Sequence, residues 1–119
     1  MLDESDVVKD YEILDFQLGE NFYFLKMRIT LVDESELYAR EYVSEEKYLY
    51  SYHWQSRNGE TRVRWDNAPH YPEIENFPHH KHVTGKRSPE PSTEMTVADV
   101  LKSIQEKLER HTNRDEISS

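Results

Sequence analysis

Not one of the 119 residues is a cysteine, which excludes disulfides, thiolate nucleophiles and cysteine zinc sites. Glycine occurs three times only, and neither GxxxxGK[ST], GxGxxG nor HExxH is present, so phosphate-cradling loops and zincin chemistry are excluded as well. No serine sits on a nucleophile elbow, and no basic helix is available for a DNA major groove. No apolar run approaches the roughly 20 residues that span a bilayer. The first ten residues, MLDESDVVKD, are acidic and lack the order of a signal peptide. The expectation is a protein of the cytoplasm without a membrane partner.

Proline is confined rather than rare, since all five fall between positions 67 and 92. Charge is confined in the same way. The total is −9, which argues against general nucleic-acid binding. Residues 1–52 hold 5 Lys/Arg against 13 Asp/Glu, net −8. Residues 53–87 hold 6 against 4, net +2, together with five of the six histidines. Residues 88–119 hold 4 against 7, net −3. A basic island inside an acidic chain can meet an anion that the molecule as a whole repels.

Length and composition fit one domain over residues 1–119. After the acidic segment 1–10, residues 11–66 read as an antiparallel sheet. "YEILDFQL" is a strand ending at Gly19, and "FYFLKMRITLV" alternates with a period of two. "ELYAREYV" is a third strand. "KYLYSYHWQSRNGETRVRWD" then forms a hairpin about Asn58-Gly59, the dipeptide of a two-residue type I′ turn. That turn sets Gln55 opposite Arg62, His53 opposite Arg64, and Ser51 opposite Asp66. Because side chains alternate, Tyr50, Tyr52, Trp54, Val63 and Trp65 share an apolar face. Ser51, His53, Gln55, Arg62, Arg64 and Asp66 share a polar one.

Residues 67–92 read as a Pro/His-rich loop with a short strand at Lys81–Val83, anchored by Tyr71, Ile74, Phe77 and Val83. A loop this long in a small domain points to function. Residues 96–110 read as a helix. Thr96 with Asp99 makes a capping box. Val97, Val100, Leu101, Ile104 and Leu108 form one stripe, expected to cover the Tyr/Trp face. Residues 111–119 read as a frayed tail. The fold class is therefore α+β: a curved antiparallel meander of about five strands with an amphipathic C-terminal helix packed on one face.

The polar hairpin face runs into "NFPHHKH", residues 76–82. Folding that loop back would bring His53, Arg64 and Asp66 together with His70, His80 and His82. Two imidazoles can act as base and acid on a ribose 2′-hydroxyl and a leaving oxygen, while arginine stabilises the phosphorus-centred charge. Asp66 can orient a histidine through its other ring nitrogen. Arg62, His79 and Lys81 are candidates for contacting the substrate. The expectation is a metal-independent site. A divalent transition metal such as zinc on His53, His80 and His82 is the alternative. A solvated polar face with no chemistry, within a non-enzymatic interaction protein, is the other.

The segments "YSYHWQ", "RWDNAPHYPE" and "FPHHKH", in this order and followed by an amphipathic helix, resemble the TumE family of toxins from toxin–antitoxin pairs. The resemblance runs from about Tyr11 to Leu108. It covers Tyr52, His53, Trp54, Arg64, Trp65, Asp66, Asn67, Pro69, His70, Pro78, His79, His80, Lys81 and His82. The resemblance implies a toxin whose partner is a cognate helix-turn-helix antitoxin. A ribonuclease toxin would add RNA as a partner, and a homodimer stays open.

Overall fold

The computed structural model describes residues 6–69, 73 and 76–118. Seven strands follow one another in a single sheet, each antiparallel to the one before: β1 (Val8–Leu18), β2 (Phe22–Leu31), β3 (Glu36–Ser44), β4 (Tyr48–Gln55), β5 (Thr61–Asp66), β6 (His80–Val83) and β7 (Glu90–Pro91). Helix α1 (Val97–Ser118) comes last. The first five strands are those expected, with β1 beginning before Tyr11. Two further strands come from the Pro/His-rich segment: β6 is the short strand expected at Lys81–Val83, one residue longer, and β7 is additional. β6 has only four residues, and its extent is set by its neighbour: Val63, Arg64, Trp65 and Asp66 pair with Val83, His82, Lys81 and His80. β7 is two residues long and contains Pro91, which suits an edge strand because proline cannot donate to a further ladder.

Strict alternation gives the sheet two chemically different faces. One collects Met27, Ile29, Leu31, Leu37, Ala39, Tyr50, Tyr52, Trp54, Val63 and Trp65, all buried in one cluster. Val100, Leu101 and Ile104 of α1 belong to that cluster, so the helical stripe and the Tyr/Trp face share a core. The capping box is present. Asp99 N donates to Thr96 Oγ1 at 3.3 Å, and Thr96 N donates to Asp99 Oδ2 at 3.0 Å. The helix does not end at residue 110 but continues to Ser118. On the core side the tyrosines keep their hydroxyls satisfied. Tyr52 donates to Glu41 Oε1 at 2.6 Å, and Tyr48 donates to the Met95 carbonyl at 2.8 Å.

The hairpin register was predicted correctly where it matters for the other face, and incorrectly at its tip. Ser51 faces Asp66, Tyr52 faces Trp65, His53 faces Arg64 and Trp54 faces Val63. Gln55 faces Thr61, not Arg62. The turn is a three-residue loop: Ser56 N donates to Glu60 O, Gly59 N donates to Ser56 O, and Gly59 takes φ +90°. Asn58 is not in the left-handed region, so this is the bulged alternative to a type I′ turn. The extra residue is absorbed at Arg62, which no residue of β4 opposes.

Among the expected loop anchors, Val83 packs against the core, whereas Phe77 is exposed. Tyr71 and Ile74 lie outside the described residues. Asn67, expected only as part of a motif, is a fastener. It accepts from Tyr50 N at 2.9 Å and donates to the Tyr48 carbonyl at 2.6 Å, continuing the β4 ladder with a side chain.

Candidate functional site

On the face opposite the core, neighbouring strands align their outward residues into transverse rows. One row is Arg28–Tyr38–His53–Arg64–His82. The next is Lys26–Arg40–Ser51–Asp66–His80. A third is Phe24–Tyr42–Leu49. Steps along a row are about 4.8 Å, the spacing of hydrogen-bonded strands. Arg64 therefore stands between two imidazoles, and the Asp66–His80 pair lies beside it.

Asp66 is buried, and both of its carboxylate oxygens are engaged. Oδ1 accepts from Ala68 N at 3.1 Å and lies 2.9 Å from His80 Nε2. Oδ2 lies 3.3 Å from Arg64 Nε in an ion pair. The carboxylate thus ties together the end of β5, the following turn, β6 and the arginine. His80, only 2% exposed, lies 3.0 Å from the Pro78 carbonyl through Nδ1. A carbonyl only accepts, so Nδ1 carries the hydrogen. Nε2 then meets Asp66 through a second proton, or offers its lone pair to a cation. The His82 ring stands edge-on to His80, centroids 5.1 Å apart. Burial lowers the His82 pKa from its usual value, with the Arg64 and His80 charges acting the same way and Asp66 opposing them. Burial and Arg64 lower the His53 pKa as well. Both imidazoles are thereby biased toward the neutral, proton-accepting form.

The expected residues do not all converge. His53 stays in the Arg64 row, but its Nε2 is 2.7 Å from Thr61 Oγ1, toward the hairpin tip. Arg62 is drawn out by the bulge. Its guanidinium sits 4.9 Å from the Trp54 ring centroid, and Nη1 donates to Asp33 Oδ2 at 2.8 Å. Trp54 Nε1 in turn donates to Ser35 Oγ at 2.9 Å, so Arg62 closes a structural network remote from Asp66. His79 does not approach Asp66. Its Nδ1 is 2.8 Å from the Tyr50 hydroxyl, and its ring stacks on Tyr50. Lys81 pairs with Trp65 and so points to the core side. His70 lies outside the described residues.

For a metal, the converging set is Asp66, His80 and His82, whose ligand atoms all lie within 4.8 Å of one another. Asp66 takes the position expected for His53. Two imidazoles and a carboxylate suit a first-row transition ion. The Nδ1–H bond of His80 to a carbonyl is the support that metal-bound imidazoles usually have.

Beside this cluster the sheet is hollowed into a groove of about 560 Å³. Arg64 and Asp66 line its near side, and Phe24, Arg40, Tyr42 and Leu49 its far side. The sequence signal for the far side was an ordinary alternating strand, and nothing in it marked Arg40 or Tyr42 as different from other exposed residues. None of the described helices is long and apolar enough to cross a membrane.

Comparison with the curated proteins and with the solved structures yields no match. A family model described as Toxin TumE matches residues 1–110, nearly all of the chain, and includes every strand and the start of the helix. The chain belongs to the TumE toxin family.

Proposed function

We propose that this toxin is an endoribonuclease whose chemistry lies in the row His53–Arg64–His82. The observation that carries the reading is Arg64 flanked across the sheet by two imidazoles of lowered pKa, with Asp66 and His80 bracing it from behind. Arg64 would hold the scissile phosphate. One imidazole takes the proton of the 2′-hydroxyl as that oxygen attacks phosphorus. The other gives its proton to the departing 5′-oxygen. The products are a 2′,3′-cyclic phosphate and a 5′-hydroxyl end, and no oxidant or water is consumed. His80 is too buried to touch substrate, so it is a positioning residue. Membership of a toxin family implies an antitoxin partner. The net charge of −8 on residues 1–52 suits a basic docking surface on that partner, such as a helix-turn-helix protein carries.

The test is cleavage of RNA by purified wild type, His53→Ala and His82→Ala in the presence of a chelator, with the product ends identified by mass spectrometry. Cyclic phosphate ends, together with losses on the order of 10²–10⁴ in either variant, support the reading. Full activity in both variants removes it.

The grouping of Asp66, His80 and His82 favours a second reading, a divalent transition metal bound by these three. It would supply Lewis-acid stabilisation of phosphate charge. Activity abolished by chelation and restored by zinc or manganese would select it.

A further inference from the structure

The groove beside the cluster joins two kinds of side chain that a plain solvated sheet face does not need together. Its Arg40 belongs to a row that runs from Lys26, next to Arg40 on β2 but outside the groove's lining, through Ser51 to Asp66 and His80. Among the described residues neither Lys26 nor Arg40 makes an ion pair, whereas Arg28 and Arg62 are engaged with carboxylates. The parallel row is aromatic. Tyr42 is half-buried and stacks on Phe22 with centroids 5.6 Å apart. The Arg40 guanidinium lies over the Phe24 ring, 5.3 Å from its centroid. The cationic and aromatic rows are two residues apart along the strands, about 6.6 Å.

A cationic track beside an aromatic track is the chemistry of single-stranded nucleic acid, whose phosphates and bases run side by side. A lone phosphate would not need the aromatics, and an apolar peptide would not need the unpaired cations. The groove's volume of about 560 Å³ is that of a small-ligand site, enough for a nucleotide-sized unit. We infer that this groove is a strand-binding subsite for single-stranded RNA, with phosphates along Lys26, Arg40 and Arg64 and a base against Tyr42 and the Arg40–Phe24 pair. The inference rests on the ribonuclease reading only for the direction of the strand: it leads from the groove to the His53–Arg64–His82 row. It also accounts for how an acidic protein can hold RNA, since the contact is confined to one face.

The test uses a fluorescent 2′-O-methyl oligouridine, which lacks the attacking hydroxyl, an abasic strand of equal length, and an all-ribose strand for cleavage. Arg40→Ala should weaken binding of the oligouridine and reduce the salt slope by about 0.7. Tyr42→Leu, which keeps an apolar side chain in place, should weaken the oligouridine about 5- to 150-fold. The abasic strand should bind that variant as it binds wild type. Thermal melting verifies that both variants fold. Wild-type binding undiminished in both folded variants overturns the groove while leaving cleavage intact. Binding that depends on Arg40 and Tyr42 without any cleavage supports the groove and overturns the nuclease. Wild type that neither binds nor cleaves overturns both.

Discussion

The His80 imidazole and the Asp66 carboxylate meet at 2.9 Å, both buried, on a sheet face that is otherwise open to solvent. Removing one partner of a buried pair leaves the other without compensation. His80→Ala should therefore cost about 3–5 kcal/mol, measured by urea unfolding. His80→Gln, which retains a donor, should cost less. Equal and small losses in both would mean that water replaces the pair freely.

Trp65 is enclosed by the same cluster that receives Val100, Leu101 and Ile104. Trp65→Ala should cost about 3–5 kcal/mol. An unchanged melting temperature would detach the helix from this face.

Arg62 and Arg64 are two residues apart and should behave as unrelated. Arg62→Ala removes the contact with Trp54 and the hydrogen bond to Asp33, and should lower the melting temperature while RNA affinity and its salt slope stay unchanged. Arg64→Ala should do the reverse. Burial pushes the Asp33 carboxyl up, but its bonds from Ser35 and Arg62 outweigh that and hold it below the usual range. Its stabilising contribution is present above the ordinary aspartate value and disappears as pH falls through the lowered one, so wild type should lose more stability on acidification than Arg62→Ala.

The lowered His53 and His82 fix the sign of the pH response. The unfolded chain binds protons at these positions more readily than the folded one, so stability is complete above about pH 6.5 and falls as pH drops below it. One of the two must be protonated to act as acid. The bell-shaped profile of kcat/KM should thus peak below pH ~6.5. An optimum at pH 8 would assign the acid to another group.

Most of the sheet is legible in the sequence, because β2 and β4 alternate apolar and polar residues; the expected pairing of His53 with Arg64 holds only because the bulge at Arg62 offsets the extra residue of the turn. Three features are legible only in part or not at all. The short strand at Lys81–Val83 is legible, but its start at His80 and its pairing with β5 are not, because Arg64 and Asp66 supply the ladder edge from outside the segment. Arg62 looked equivalent to Arg64 because a bulge leaves no trace in composition, yet one inserted residue exchanged a site position for a structural one. The groove was missed for a third reason. Arg40 and Tyr42 are unremarkable along the chain and gain meaning only beside Arg64 and Phe24 across it.

Because each strand pairs only with its neighbours in sequence, the sheet can be joined in the order in which the chain is made. During synthesis β1 to β4 can close as successive hairpins while the ribosome is still adding residues. Arg64 then arrives with half its surroundings missing, and the Asp66–His80 brace forms only once residues 80–83 have left the exit tunnel. The residues around Arg64 consequently come together only when the sheet is nearly complete. A truncation before His80 should likewise yield a chain that keeps the residues of β1 to β5 but lacks the Asp66–His80 brace.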